Sequence, residues 1–214
     1  MAAPKPKIRS RRRLVRLSIA AAIAAVLFAG SRIYPFLAVP TQRVEAEILV
    51  VEGWIFDYAM AAAAGEFENG RYALVATSGM RISAGKAAGE DDSEALQAAR
   101  SLEAAGVARE RIVACPAPET RWNRTSTTAR AVRDHLAERG IRYAGVNVVT
   151  VGPHARKTWL AYRRIMGPDV RVGIVTVPKK DFDPDRWWAS AHGVKMVSKS
   201  FAGWFKEWLL GARS

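Results

Sequence analysis

From about residue 47 onward, short apolar runs alternate with longer stretches whose apolar positions recur every three or four residues. The run at 48–51 predicts a buried strand. The alanine-rich stretch from about 56 to 68 predicts a helix stopped by Asn69-Gly70. A second strand is predicted at 72–77 with a turn at Ser78-Gly79, then a helix from about 91 to 105 with Gly106 after it. Strands at 111–115, 146–151 and 170–177 follow, separated by helices from about 126 to 139 and from about 154 to 166. Strands alternating with helices of ten to fifteen residues require right-handed crossovers and a sheet covered on both faces. The expected fold is therefore Rossmann-like: a doubly wound α/β domain over 45–214 with a mostly parallel, five-stranded sheet.

The segment before this domain has a different pattern. Residues 17–31 contain no charge, and 33–39 are again largely apolar beyond Arg32. Fifteen helical residues rise about 22 Å, short of the ~30 Å hydrocarbon core. Snorkelling by Arg16 and Arg32 would extend the reach, and 17–39 as a whole would span. A cleaved signal peptide has the same layout, with Ala29-Gly-Ser31 as its cut site. An N-terminal helix buried in a soluble protein is the third option. The expectation is one transmembrane anchor at 17–39 preceded by a basic cytoplasmic tail at 1–16. The clustered cations then keep the N-terminus inside and put the domain on the outer side of the plasma (inner) membrane, single-pass.

Charge sharpens this picture. The 214 residues carry a formal net charge of +13. Residues 1–16 alone hold seven basic side chains and no acid, leaving 26 basic against 20 acidic residues elsewhere. The basicity marks the membrane flank, which argues against a nucleic-acid partner and for the lipid bilayer. A single cysteine excludes an intrachain disulfide, and three histidines make a histidine-rich metal centre a poor fit. No G-x-G-x-x-G or G-x-x-x-x-G-K-[ST] pattern occurs, which argues against a standard dinucleotide or P-loop nucleotide site, and no G-x-S-x-G elbow marks a hydrolase serine; the sequence names no cofactor either way.

In a doubly wound fold, ligands bind beyond the carboxyl ends of the strands, which selects the loops to inspect. Glu52 and Gly53 follow the first strand, and Ser78 and Gly79 follow the second. Arg124-Thr-Ser-Thr-Thr128 places Thr125 and Ser126 where a helix begins, as N-caps or as part of an anion site. His154, Arg156 and Lys157 open the helix after the fourth strand, where the helix dipole disfavours cations. Arg156 offers a bidentate fork for a phosphate or carboxylate, and His154 can exchange a proton near neutral pH. The acidic run Glu90-Asp-Asp-Ser-Glu94 opens a helix, where solvated carboxylates favour the dipole. Cys115 reads as an inert core residue.

These segments resemble the YdcF-like SanA/ElyC family of envelope proteins over about 45–178. The resemblance rests on Val50-Val-Glu-Gly53, Thr77-Ser-Gly79, Ser93-Glu-Ala95, Gly106-Val107, the Thr-containing stretch after strand three, Val149-Thr150 and His154-Ala-Arg-Lys157. Arg124 and Thr128 stand where asparagines are common, which marks a divergent subgroup. The resemblance implies a ligand site assembled from Gly53, Ser78, Glu94, Thr125, His154 and Arg156, and an N-terminal membrane helix. The expected function is binding or processing of an anionic, phosphorylated or lipid-linked envelope intermediate. His154 would be acid or base, with Glu94 positioning a proton or cation. Glu52, Gly53, Ser78, Gly79, Thr125, Ser126 and Arg156 would line the site. A non-catalytic, membrane-tethered binding or scaffold protein is the alternative.

At the C-terminal end, Val194, Val197, Phe201, Trp204, Phe205 and Trp208 recur at helical steps. The stripe fits a helix packed on the sheet domain, or one resting on the bilayer.

Overall fold

The computed structural model describes residues 8–82 and 92–211, with side chains left out at 8–14, 22–29 and 211. Five strands, β1 (Ile48–Glu52), β2 (Leu74–Met80), β3 (Ile112–Ala117), β4 (Gly145–Val151) and β5 (Arg171–Val177), form one sheet in the order β3-β2-β1-β4-β5. All four neighbouring pairs are parallel. The α/β, doubly wound fold expected from the periodicity is therefore present.

The two faces of the sheet follow from strand alternation. Leu49, Val51, Val75, Val149 and Val151 face α2 (Asp57–Asn69) and α3 (Glu94–Ala104), meeting Ala63, Phe67, Ala98 and Leu102. Ile48, Val50, Ala76, Val146 and Val148 face α4 (Arg124–Glu138) and α5 (Ala155–Met166), meeting Val132, Leu136, Tyr162 and Ile165. Cys115 lies buried in this second layer, and burial pushes its thiol up to about 12. The chain crosses back from β3 through α4 to β4, so the strand order reverses between β1 and β4. A crevice opens there at the carboxyl ends.

Two boundaries differ from expectation. Ser78 and Gly79 do not turn the chain, because β2 continues through them in register with Cys115 and Pro116 of β3. Pro116 is tolerated because β3 is an edge strand. Residues 124 and 125 are already helical, and the cap of α4 is Asn123 in the left-handed conformation, not Thr125 or Ser126. In the acidic run, Glu90 and Asp91 lie outside the described residues.

The N-terminal helix α1 (Ile8–Leu37) is 30 residues long. Its last turns do not continue the expected span but join the domain. Tyr34 and Leu37 are buried with Val197 of α6 (Ala191–Gly211), and Val39 enters the α4/α5 layer. Val15, Leu17 and Ile19 are exposed. Among the described residues, no helix is long and apolar enough to cross a membrane. The centre of the expected span, residues 22–29, falls outside those whose side chains are described.

Candidate functional site

The crevice at the β1/β4 reversal is a cavity of about 220 Å³. Glu52 and Trp54 line it from the end of β1, Glu94 from α3, and Arg124, Thr125 and Thr128 from α4. His154 and Lys157 come from the end of β4 and α5, and Met196, Lys199 and Ser200 from α6.

Glu52 forms the floor. It continues the even-numbered positions of β1, so its side chain points to the α5 layer with Ile48 and Val50. Thr150, in the same phase of β4, donates to its Oε2, and Thr158 of α5 donates to it at 3.2 Å. The side chain is 2% exposed. Loss of hydration raises its pKa above the usual carboxylate range, while the two threonines, Trp54 and Lys157 only partly counter this. Glu52 is thus a carboxyl that retains its proton more readily than a surface glutamate.

His154 stands beside it, its ring 4.7 Å from that of Trp54. Burial lowers its pKa well below 6.5, and the charges of Lys157, Lys199, Arg124 and Lys179 lower it further. The imidazole is neutral at pH 7, able to accept a proton or hydrogen bond. Of these cations, Lys157, Lys199 and Arg124 line the cavity itself. Lys157 is itself lowered by burial, against the pull of Glu52 and Glu207. Arg124 donates to Glu94 at 2.9 Å, and Glu94 also accepts from the amide of Met80 at 3.1 Å. Glu94 therefore holds Arg124 at the cavity. Among the described residues, neither Lys157 nor Lys199 forms an ion pair.

Of the residues expected here, Glu52, Glu94, Thr125 and His154 converge on the cavity. Arg156 does not. It stacks on the ring of Phe36, 4.0 Å from its centroid, and donates to the Phe36 carbonyl, so it grips the end of α1. One residue along a helix turns the side chain by about 100°, which exchanges Arg156 for Lys157 at the cavity. Ser126 is also engaged elsewhere: its hydroxyl donates to Glu207 at 2.9 Å, and Arg164 donates to both. Ser78 lies in the interior, where its hydroxyl accepts from Tyr162 at 3.2 Å. Gly53 and Gly79 serve packing: a Cβ on either would strike the backbone of Glu94 or Ala95 at the start of α3. The Gly53 amide is taken by the carbonyl of Ser78.

Arg124, Trp54, Met196, Lys199 and Ser200 were not anticipated as site residues. Trp54 and Arg124 flank strand ends and could have been found by that rule. The α6 residues carry no such signal, because nothing local shows where a terminal helix docks. No family model, curated protein or solved structure matches this chain.

Proposed function

We propose that this chain is a divergent YdcF-like protein, attached to the plasma membrane through α1, whose outward-facing domain binds a small anionic ligand at the β1/β4 crevice. The observation that carries this reading is the collection of Lys157, Lys199 and Arg124 around a cavity whose buried acid, Glu52, is pushed by burial toward its neutral form. Lys157 is half-buried and, among the described residues, has no ion-pair partner, an arrangement a bound anion would relieve. A phosphate monoester or carboxylate would do so with charge-assisted hydrogen bonds.

The same geometry favours processing over binding alone. Glu52 as a proton donor and His154 as a neutral acceptor line one cavity, an arrangement suited to general acid–base chemistry on a bound phosphorylated or lipid-linked intermediate. Membrane attachment draws support from the uncharged stretch 17–31 behind seven cations. The test is titration of the full-length protein with inorganic phosphate, glycerol phosphate and a short carboxylate, followed by calorimetry. Binding that disappears in Lys157→Ala and Lys199→Ala supports the reading. Equal affinity in wild type and both variants overturns it.

A further inference from the structure

The cavity accounts for one side of α6. Met196, Lys199 and Ser200 line it, and Glu207 is buried against Ser126 and Arg164. On the other side, Phe201, Trp204, Phe205 and Trp208 form a continuous chain of rings with centroids 5.3, 6.3 and 5.8 Å apart. The expected packing of this stripe on the domain holds for Val197 and partly for Trp204. Val197 alone of the stripe is fully buried, while Val194, Phe201, Phe205 and Trp208 are 41–51% exposed. Burying one large apolar side chain is worth about 1.5–3 kcal/mol, so a bare strip of rings is a substantial unfavourable term.

Two features identify its occupant. The strip runs directly into α1: Trp204 meets Phe36 edge to face at 4.8 Å, and further along α1 Val15, Leu17 and Ile19 are exposed. The second is charge. Glu207 is the one acid in α6 and it is turned inward, so the exposed charged side chains of the helix away from the cavity are Lys195 and Lys206, with no carboxylate. Lys206 also lies over Trp122, 5.4 Å from the ring centroid, and Trp122 is 74% exposed. Tryptophan and phenylalanine beside lysine is the composition of a helix seated among anionic lipid headgroups.

We infer that the aromatic face of α6, together with Trp122, beds in the headgroup layer of the bilayer that α1 enters. The inference rests on the membrane attachment proposed above. Since the opposite face of α6 lines the cavity, the site lies within about one helix diameter, ~10 Å, of the lipid headgroups.

Cys115 is buried, so introduced cysteines can be labelled selectively. The full-length protein carrying Leu17→Cys, Phe205→Cys or Glu103→Cys is labelled with an environment-sensitive fluorophore. It is then reconstituted into phosphatidylcholine–phosphatidylglycerol vesicles containing headgroup-nitroxide lipid. Quenching several-fold stronger at 205 than at 103, with strong quenching at 17, is expected. Quenching at 17 but not at 205 overturns the α6 inference while leaving the anchor in place. No quenching at either overturns both. A label at 205 shielded from aqueous iodide yet untouched by nitroxide lipid identifies a protein partner and likewise overturns it. Trp208→Cys repeats the measurement should Phe205→Cys fail to fold.

Discussion

The two ends of the sheet each hold a network of buried polar groups, and they are built on opposite plans. At the amino end of the strands, Asn147 accepts from the amide of Val44 at 2.9 Å and donates to its carbonyl and to Tyr72. Tyr72 donates to Glu66, whose two oxygens take a forked pair of bonds from Arg43. Charge balances charge, and the donors are matched by acceptors. At the carboxyl end, Glu94 is paired with Arg124, and the remaining acid, Glu52, shares the cavity with Lys157, Lys199 and a neutral imidazole. The hollow at the amino end is larger, about 600 Å³ against about 220 Å³. Volume is therefore a poor guide here, and the balance of charges separates the edge that stabilises from the edge proposed to receive a ligand.

The sharpest separation comes from Asn147→Ala. It strands both Val44 backbone groups and removes the bond that the Tyr72 hydroxyl accepts, and should cost about 3 kcal/mol in urea unfolding, since each buried orphan costs roughly 1–3. Anion affinity of the folded fraction should stay at the wild-type value. Lys157→Ala should do the reverse, removing a charge-assisted contact of about 1.5–3 kcal/mol, or roughly a 10- to 150-fold loss in phosphate affinity by calorimetry. Its stability should hold or rise, because a half-buried cation is removed.

Protonation gives the next effect. Folded Glu52 keeps its proton more tightly than the unfolded chain does. Its contribution is complete below the unfolded value and declines as the pH rises toward the folded one, by about 1.4 kcal/mol per unit of difference. Folded His154 is neutral where the unfolded chain still takes up a proton, so its contribution is lost as the pH falls below about 6.5. Melting temperatures across about pH 4–7 should therefore tilt in opposite senses: Glu52→Gln removes the decline toward neutral pH, and His154→Gln removes the decline toward acid. Parallel profiles for the two variants would refute the assignment of a proton-holding acid beside a neutral imidazole. The smallest effect is expected for Arg156→Ala, about 1 kcal/mol of stability from a lost cation–π contact and hydrogen bond. Phosphate affinity should be unchanged. A large affinity loss would return Arg156 to the cavity.

The fold was legible because alternation and helical spacing are local signals, and every predicted strand and helix lies within a few residues of an observed one. The errors cluster where a residue serves a distant neighbour. Gly79 resembles a turn residue along the chain, yet it continues β2 so that α3 can approach. In the site, Glu52, Thr125 and His154 were readable from the strand-end rule. Glu94 was readable as well, and in the structure it pairs with Arg124. Arg156 and Lys157 differ only by the turn of a helix whose starting phase, set by the short helical turn Gly152–His154, has no mark in the sequence. The contribution of α6 depends on tertiary docking and had none either.

The grip of Arg156 on Phe36 joins residues 120 positions apart, and Val197 reaches back to Tyr34 and Leu37 from further still. Contacts of such separation form late, after the local βα units have closed. During vectorial synthesis α1 leaves the ribosome well before α6 exists, so the end of α1 waits without its partners while the sheet assembles. The end of α1 therefore cannot be fully seated until both α5 and α6 have been made, because each supplies part of its contact.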